Sequence, residues 1–118
     1  MNRYFKSLIE QDSADVVICD LNHRIIYMNP AALAQHGKDL TGECLFDCHG
    51  PRAVEAIKRV TQWFLADPAH NRVHTFFDAK ENRDVYMIAL RDETDKLIGY
   101  YEKFEYRDRD MTPLYEME

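Results

Sequence analysis

The segment PRAVEAIKRVTQWFLA, Pro51 to Ala66, constrains the fold more than any other stretch. Ala53, Ile57, Val60 and Phe64 recur at i, i+4, i+7 and i+11, with Ala56 and Trp63 widening the stripe. Arg52, Glu55, Arg59 and Gln62 fall on the opposite side, so the spacing predicts an amphipathic helix with one buried face. Gly50-Pro51 opens it, because proline suits the first helical turn. Asp67-Pro68 closes it, because a residue before proline avoids the helical region.

On both sides of this helix the period falls to two. DVVICD (Asp15 to Asp20) and RIIYMN (Arg24 to Asn29) are short β-branched runs, and Leu21-Asn22-His23 between them predicts an antiparallel hairpin. Asn29-Pro30 changes the period again: Asn caps, Pro starts, and a short helix from Pro30 to His36 is expected, ended by Gly37. Residues 37–50 read as irregular, with at most one helical turn. Three strands follow: Arg72 through Asp78, Val85 to Arg91, and Leu97 to Tyr106, with KENR and DETDK as the turns. The Val85 strand is apolar on both sides and is expected to be central. At the amino terminus Met1, Phe5 and Leu8, widened by Tyr4 and Ile9, form the stripe of a further amphipathic helix.

A hairpin, a helical crossover and a three-stranded meander imply an α+β fold with one five-stranded, mostly antiparallel sheet. The helices of the crossover can cover only one face of it. The other face needs the amino-terminal helix, a partner subunit, or both. At 118 residues, 46% hydrophobic, the chain is of single-domain size with one ordinary core. The expected division is an amino-terminal helix over 1–13, a domain over 14–112 and a short tail over 113–118.

The formal charge of −6, with no basic stripe interleaved with aromatics, argues against nucleic acid as a partner. No run is apolar enough to span a bilayer, and the start has no signal-peptide pattern, so the expectation is a cytoplasmic protein with no membrane partner. Three cysteines in that compartment are expected to be reduced thiols. No nucleophile elbow, phosphate loop or His-Glu-x-x-His is present, and the reading is against an enzyme.

These segments, in this order, resemble a PAS domain over nearly the whole chain. ADVVICDLNHRIIYMNPAA is similar to that family's first two strands and capping Asn. LTGECLFD is similar to its glycine-containing segment, PRAVEAIKRVTQWFLA to its long connecting helix, and Asp110-Met111-Thr112 to its Asp-Ile-Thr ending. CHGPRAV further resembles a bacterial subgroup with Cys-His-Pro-Pro before the long helix, Gly50 replacing the first Pro. Asn22-His23 stands where the family usually has an Asp-Gly turn. The resemblance implies a sensory or interaction module that binds heme, flavin or a small metabolite between helices and sheet, or binds nothing and dimerises. It implies signal transduction through an unidentified effector protein, since no output segment follows Thr112.

The expected pocket lining is Leu33, Leu40, Ile57, Val60, Tyr86, Ile88 and Tyr100, and the expected homodimer interface is Tyr4, Phe5, Leu8 and Ile9. Cys48 and His49 are candidate cofactor ligands, since thiolate and imidazole both bind heme iron. The alternative is that Cys48 packs as a small hydrophobe and His49 only leads into the helix. Covalent heme attachment is disfavoured because Cys44-x-x-x-Cys48-His49 is one residue too long. Flavin chemistry is disfavoured because Cys44 sits one position early for the light-sensing pattern. Zinc on Cys44, Cys48 and His49 is disfavoured because it needs a fourth ligand, and the candidates Cys19, His23, His36, His70 and His74 lack paired-ligand spacing. His74 could face the pocket or solvent. The alternating charges of YEKFEYRDRD are expected to be solvated. Three functions remain: a small-ligand sensor, a heme or redox sensor using Cys48 and His49, and a dimerisation domain without ligand.

Overall fold

Asn29 fixes the corner on which the fold turns. Its side chain is fully buried, and its Oδ1 accepts from Ala32 N and Val16 N, each at 2.9 Å. Its Nδ2 donates to the carbonyls of Ile9 at 3.1 Å and Ala14 at 3.0 Å. One side chain therefore caps the helix that follows, anchors the first strand and holds the end of the amino-terminal helix.

The computed structural model describes residues 2–117. The elements run α1 (Arg3–Glu10), β1 (Val16–Asp20), β2 (Ile25–Met28), α2 (Pro30–His36), a 3₁₀ turn (Leu45–Cys48), α3 (Pro51–Ala66), β3 (Arg72–Asp78), β4 (Arg83–Arg91) and β5 (Leu97–Tyr106). The expected α+β order is the observed one. Met1, placed in the stripe of α1 by its spacing, lies outside the described residues.

The strands form one antiparallel sheet in the order β2-β1-β5-β4-β3. The last strand thus enters beside the first, and β4 lies inside the sheet, as its two apolar sides predict. Gly99 permits the β1–β5 approach, because a Cβ there would overlap the Cys19 carbonyl. The hairpin turn places His23 in the left-handed region at φ 63, a conformation that His, like Asn and Asp, adopts more readily than other non-glycine residues.

α2 and α3 lie on one face. Between them and the sheet sit Val17, Cys19, Ile25, Met28, Phe64, Met87 and Tyr100, all buried. Trp63, expected to widen the buried stripe, is instead 42% exposed and stacks on His70 at 3.8 Å. Thr61 takes the buried place, its hydroxyl returned to the Ile57 and Lys58 carbonyls.

The opposite face divides in two. Toward β3 it is a polar lattice: His74 Nε2 meets Asp84 Oδ1 at 2.8 Å, Arg107 bridges Asp84 and Glu105, and Arg72 lies over the Tyr86 ring at 4.0 Å. Toward β1 it is apolar, and Leu8 and Ile9 of α1 line a groove there with Val16, Ile18, Leu90 and Tyr101. The need for a cover, expected for the whole face, is confined to this half.

A cleft between α3 and the sheet as the candidate functional site

In β4 and β5 the cross-strand pairs Val85↔Phe104, Met87↔Glu102 and Ala89↔Tyr100 share the face toward α3. Near the middle of that face the packing opens. Ala53, Ala56, Ile57 and Val60 of α3 stand across from Val85, Met87, Glu102 and Phe104, with Thr75 and Phe76 of β3 at the rim. The cleft, open to solvent on one side, has a volume of about 390 Å³. A second compartment of about 230 Å³ lies toward α2, lined by Asp15, Val17, Met28, His36, Leu40 and Cys48 among others. His49, Arg83, Glu102 and Phe104 line both and form the wall they share.

The polar groups of this wall are unequal. Arg83 is held by three contacts: its Nε meets Asp78 Oδ2 at 3.0 Å, its Nη1 donates to Tyr106 OH at 3.0 Å, and it lies over the Phe104 ring at 4.6 Å. His49 Nδ1 is 2.9 Å from the Leu45 carbonyl, which can only accept, so Nδ1 carries the proton and Nε2 the free lone pair of the neutral ring. Thr75 donates its hydroxyl to Val85 O at 3.2 Å. Glu102 is different. Burial pushes its pKa up, opposed by His49, His36 and Arg83 and reinforced by Asp15, and no described group donates a hydrogen bond to its carboxylate. It retains some accessible surface only because it faces the cleft.

Cys19 and Tyr100 sit deeper. The Tyr100 hydroxyl lies 2.8 Å from His23 Nδ1, and burial pushes the Cys19 thiol up to about 12. Such a thiol is a packing group and not a nucleophile.

Neither a protein-family model nor a characterised protein matches the sequence. Solved structures match the fold. The PAS domain of a protein from Colwellia psychrerythraea superposes with a TM-score of 0.67 at 12% identity, over 89% of this chain and 95% of that one. The PAS domain of Bordetella pertussis BvgS does so with a TM-score of 0.65 at 14% identity, over 91% and 86%. A sensory box sensor histidine kinase from Vibrio cholerae gives a TM-score of 0.59 at 12% identity, over 88% and 87%. The chain has the PAS fold.

Within this PAS fold the seven expected pocket residues separate. Ile57 and Val60 line the larger compartment and Leu40 the smaller one. Leu33 packs against the core beside them. Tyr86 and Ile88 are corrected: they pair with Lys103 and Tyr101 on the opposite face, and Tyr86 there takes a hydrogen bond from Arg107. Tyr100 is on the expected face but only 1% exposed, its hydroxyl engaged by His23, and it lines neither compartment. Of the two orientations open to His74 it takes the one away from the cleft, where it pairs with Asp84, ten residues along and across the β3–β4 hairpin.

His49 is in the wall, whereas Cys48 is exposed at the end of the 3₁₀ turn and reaches only the smaller compartment. The donor set at the cleft thus fits a single imidazole. Among the described residues no three His, Cys, Asp or Glu side chains are grouped to hold a metal ion, and the five zinc candidates are scattered over separate elements.

The residues missed were Glu102, Val85, Met87 and Phe104. Phe104 and Tyr100 share a strand parity with Glu102, so the signal existed. A carboxylate between two aromatics at period two lies on their face, although the alternating charges of YEKFEYRDRD resemble a solvated run.

Proposed function

We propose that this PAS domain is a sensing module that binds a small molecule in the cleft between α3 and β3–β5. The observation that carries the proposal is the cleft itself. It is apolar, about 390 Å³, within the range of small-ligand sites, and a few polar groups converge on one wall. Occupancy would shift the population of α3 and sheet packings. That shift has a route out: β5 pairs with β1, and Asn29 ties the start of β1 to the end of α1. We take 14–112 as the binding unit and α1 as the contact with a second copy, through Tyr4, Phe5 and Leu8, which are 66–74% exposed, and the half-buried Ile9. The resemblance to a sensor histidine kinase chain supports the signalling role, with an effector protein as the recipient. No described helix is long and apolar enough to cross a membrane.

The test is chemical. Protein purified without added ligand should be colourless and release a defined metabolite on denaturation, detected by mass spectrometry. No released compound, and no binding of small molecules to the emptied protein, would leave only dimerisation.

A second reading is a heme or redox sensor. His49 favours it, because the Leu45 carbonyl fixes its Nδ1 proton and orients Nε2 as the ligating nitrogen. It expects a Soret band that His49→Ala abolishes and Cys44→Ala leaves intact. A colourless protein that binds no added hemin rejects it.

A further inference from the structure

Glu102 gives the ligand a chemistry. This step rests on the small-molecule reading above and goes on to specify the class of molecule.

The donors in the wall of the larger compartment are largely tied to groups of the protein itself. Arg83 gives Nε to Asp78 and Nη1 to Tyr106 and lies over the Phe104 ring, the Thr75 hydroxyl goes to Val85 O, and the His49 Nδ1 proton to Leu45 O. Asp78 balances the Arg83 charge, so the one charge this wall leaves unpaired is the Glu102 carboxylate. Glu102 projects into both compartments, surrounded by Val85, Met87, Ile57 and Phe104, without a described hydrogen-bond donor. Its oxygens keep their accessible surface on the cleft, so the partner that the protein does not supply has to come from the cleft's occupant, water or ligand. A second carboxylate strengthens the same field. Asp15, only 5% exposed, lines the smaller compartment and faces the same Arg83, whose charge Asp78 already balances.

A carboxylic acid ligand would meet this field as repulsion. A neutral apolar ligand would leave Glu102 as costly as before. A protonated nitrogen would resolve it, because a charge-assisted N–H···O bond in an apolar wall is among the stronger contacts available. The remaining walls, of alanine, isoleucine, valine, methionine and phenylalanine, suit an apolar body. We infer that Glu102 is the recognition anchor of the cleft, and that its ligand is a small organic cation: an apolar body bearing one protonated amine.

Three probes of similar shape test this: 2-phenylethylamine, 2-phenylethanol and 3-phenylpropanoate, titrated calorimetrically into the full chain near neutral pH. Wild type should bind the amine at least about tenfold more tightly than the alcohol, and the acid least. Glu102→Gln, checked for native circular dichroism, should lose the amine preference while keeping the alcohol affinity. Ala53→Phe, which fills the cleft from α3, should lose both. If the amine preference survives in Glu102→Gln, or the acid binds best, the anchor role is overturned while the cleft stays a ligand site. If no probe binds any of the three proteins, the cleft reading itself fails and the cation proposal falls with it.

Discussion

Asn29 joins three elements through four short hydrogen bonds from a side chain with no solvent access. Its capping role was readable from Asn-Pro. Its contacts to β1 and α1 were not, because they depend on residues 13–20 positions away being folded alongside. Asn29→Ala should cost about 3 kcal/mol in urea unfolding, a cap plus an orphaned buried Val16 N–H. Asn29→Asp should recover only part of this, since it keeps the Oδ1 contacts but loses both donations. Glu102 makes a prediction of opposite kind. Its folded pKa is raised by burial, against His49, His36 and Arg83 and together with Asp15. The folded state therefore holds the proton more tightly than the unfolded chain does. Stability from this group is greatest below the unfolded value, falls as pH rises toward the folded value, and is flat above it. Glu102→Gln removes that dependence, so the variant should gain melting temperature over wild type progressively as pH rises from 4 to 8. A constant offset across that range would contradict the assignment.

At the scale of elements, the boundaries follow punctuation. Pro30, Gly37, Pro51 and Asp67-Pro68 end or begin helices where local chemistry says they must, and α2, α3, β3 and β5 fall on the expected residues. The facing of β4 was not legible. Val85, Met87 and Ala89 alternate with Tyr86, Ile88 and Leu90, both sets apolar, and only the position of α3 decides which set meets the cleft. The register shift between Leu90 and Arg91 adds a second concealed feature: β5 gains one residue against β4, and Ile98 is left 51% exposed while Leu97 and Tyr100 are buried. One contact then fixes α3 against this sheet. Arg91 sends Nη2 to the carbonyls of Phe64 at 2.7 Å, His70 at 3.0 Å and Asp67 at 3.2 Å, and Nε to Asn71 Oδ1 at 2.7 Å. A cation there also complements the helix C-terminus. Arg91→Lys cannot reproduce the planar fork and should lose about 1–2 kcal/mol, with faster amide exchange concentrated over residues 67–71. Loss spread evenly over the sheet would mean that the clamp is not local.

For the whole molecule, the sheet's two faces carry different chemistry. The α3 face is apolar and opens at the cleft and, more widely, along the groove between α3 and β3. The other face satisfies itself with ion pairs near β3 and is apolar near β1, beside a helix whose Tyr4, Phe5 and Leu8 meet no described partner in the core. Clustered exposed apolar side chains of this size mark an interface. Sedimentation should show a dimer for the full chain, and Phe5→Glu with Leu8→Glu should return a monomer with unchanged circular dichroism. A monomeric wild type would assign α1 to a different partner. The central claim is narrower, that the cleft is a ligand site and not a packing flaw. Native mass spectrometry of freshly purified wild type beside Ala53→Phe tests it most directly. Wild type should carry a noncovalent adduct that is absent from the filled variant; an adduct of equal occupancy on both, or a bare wild type that also ignores the amine probe, would contradict a ligand site in the cleft.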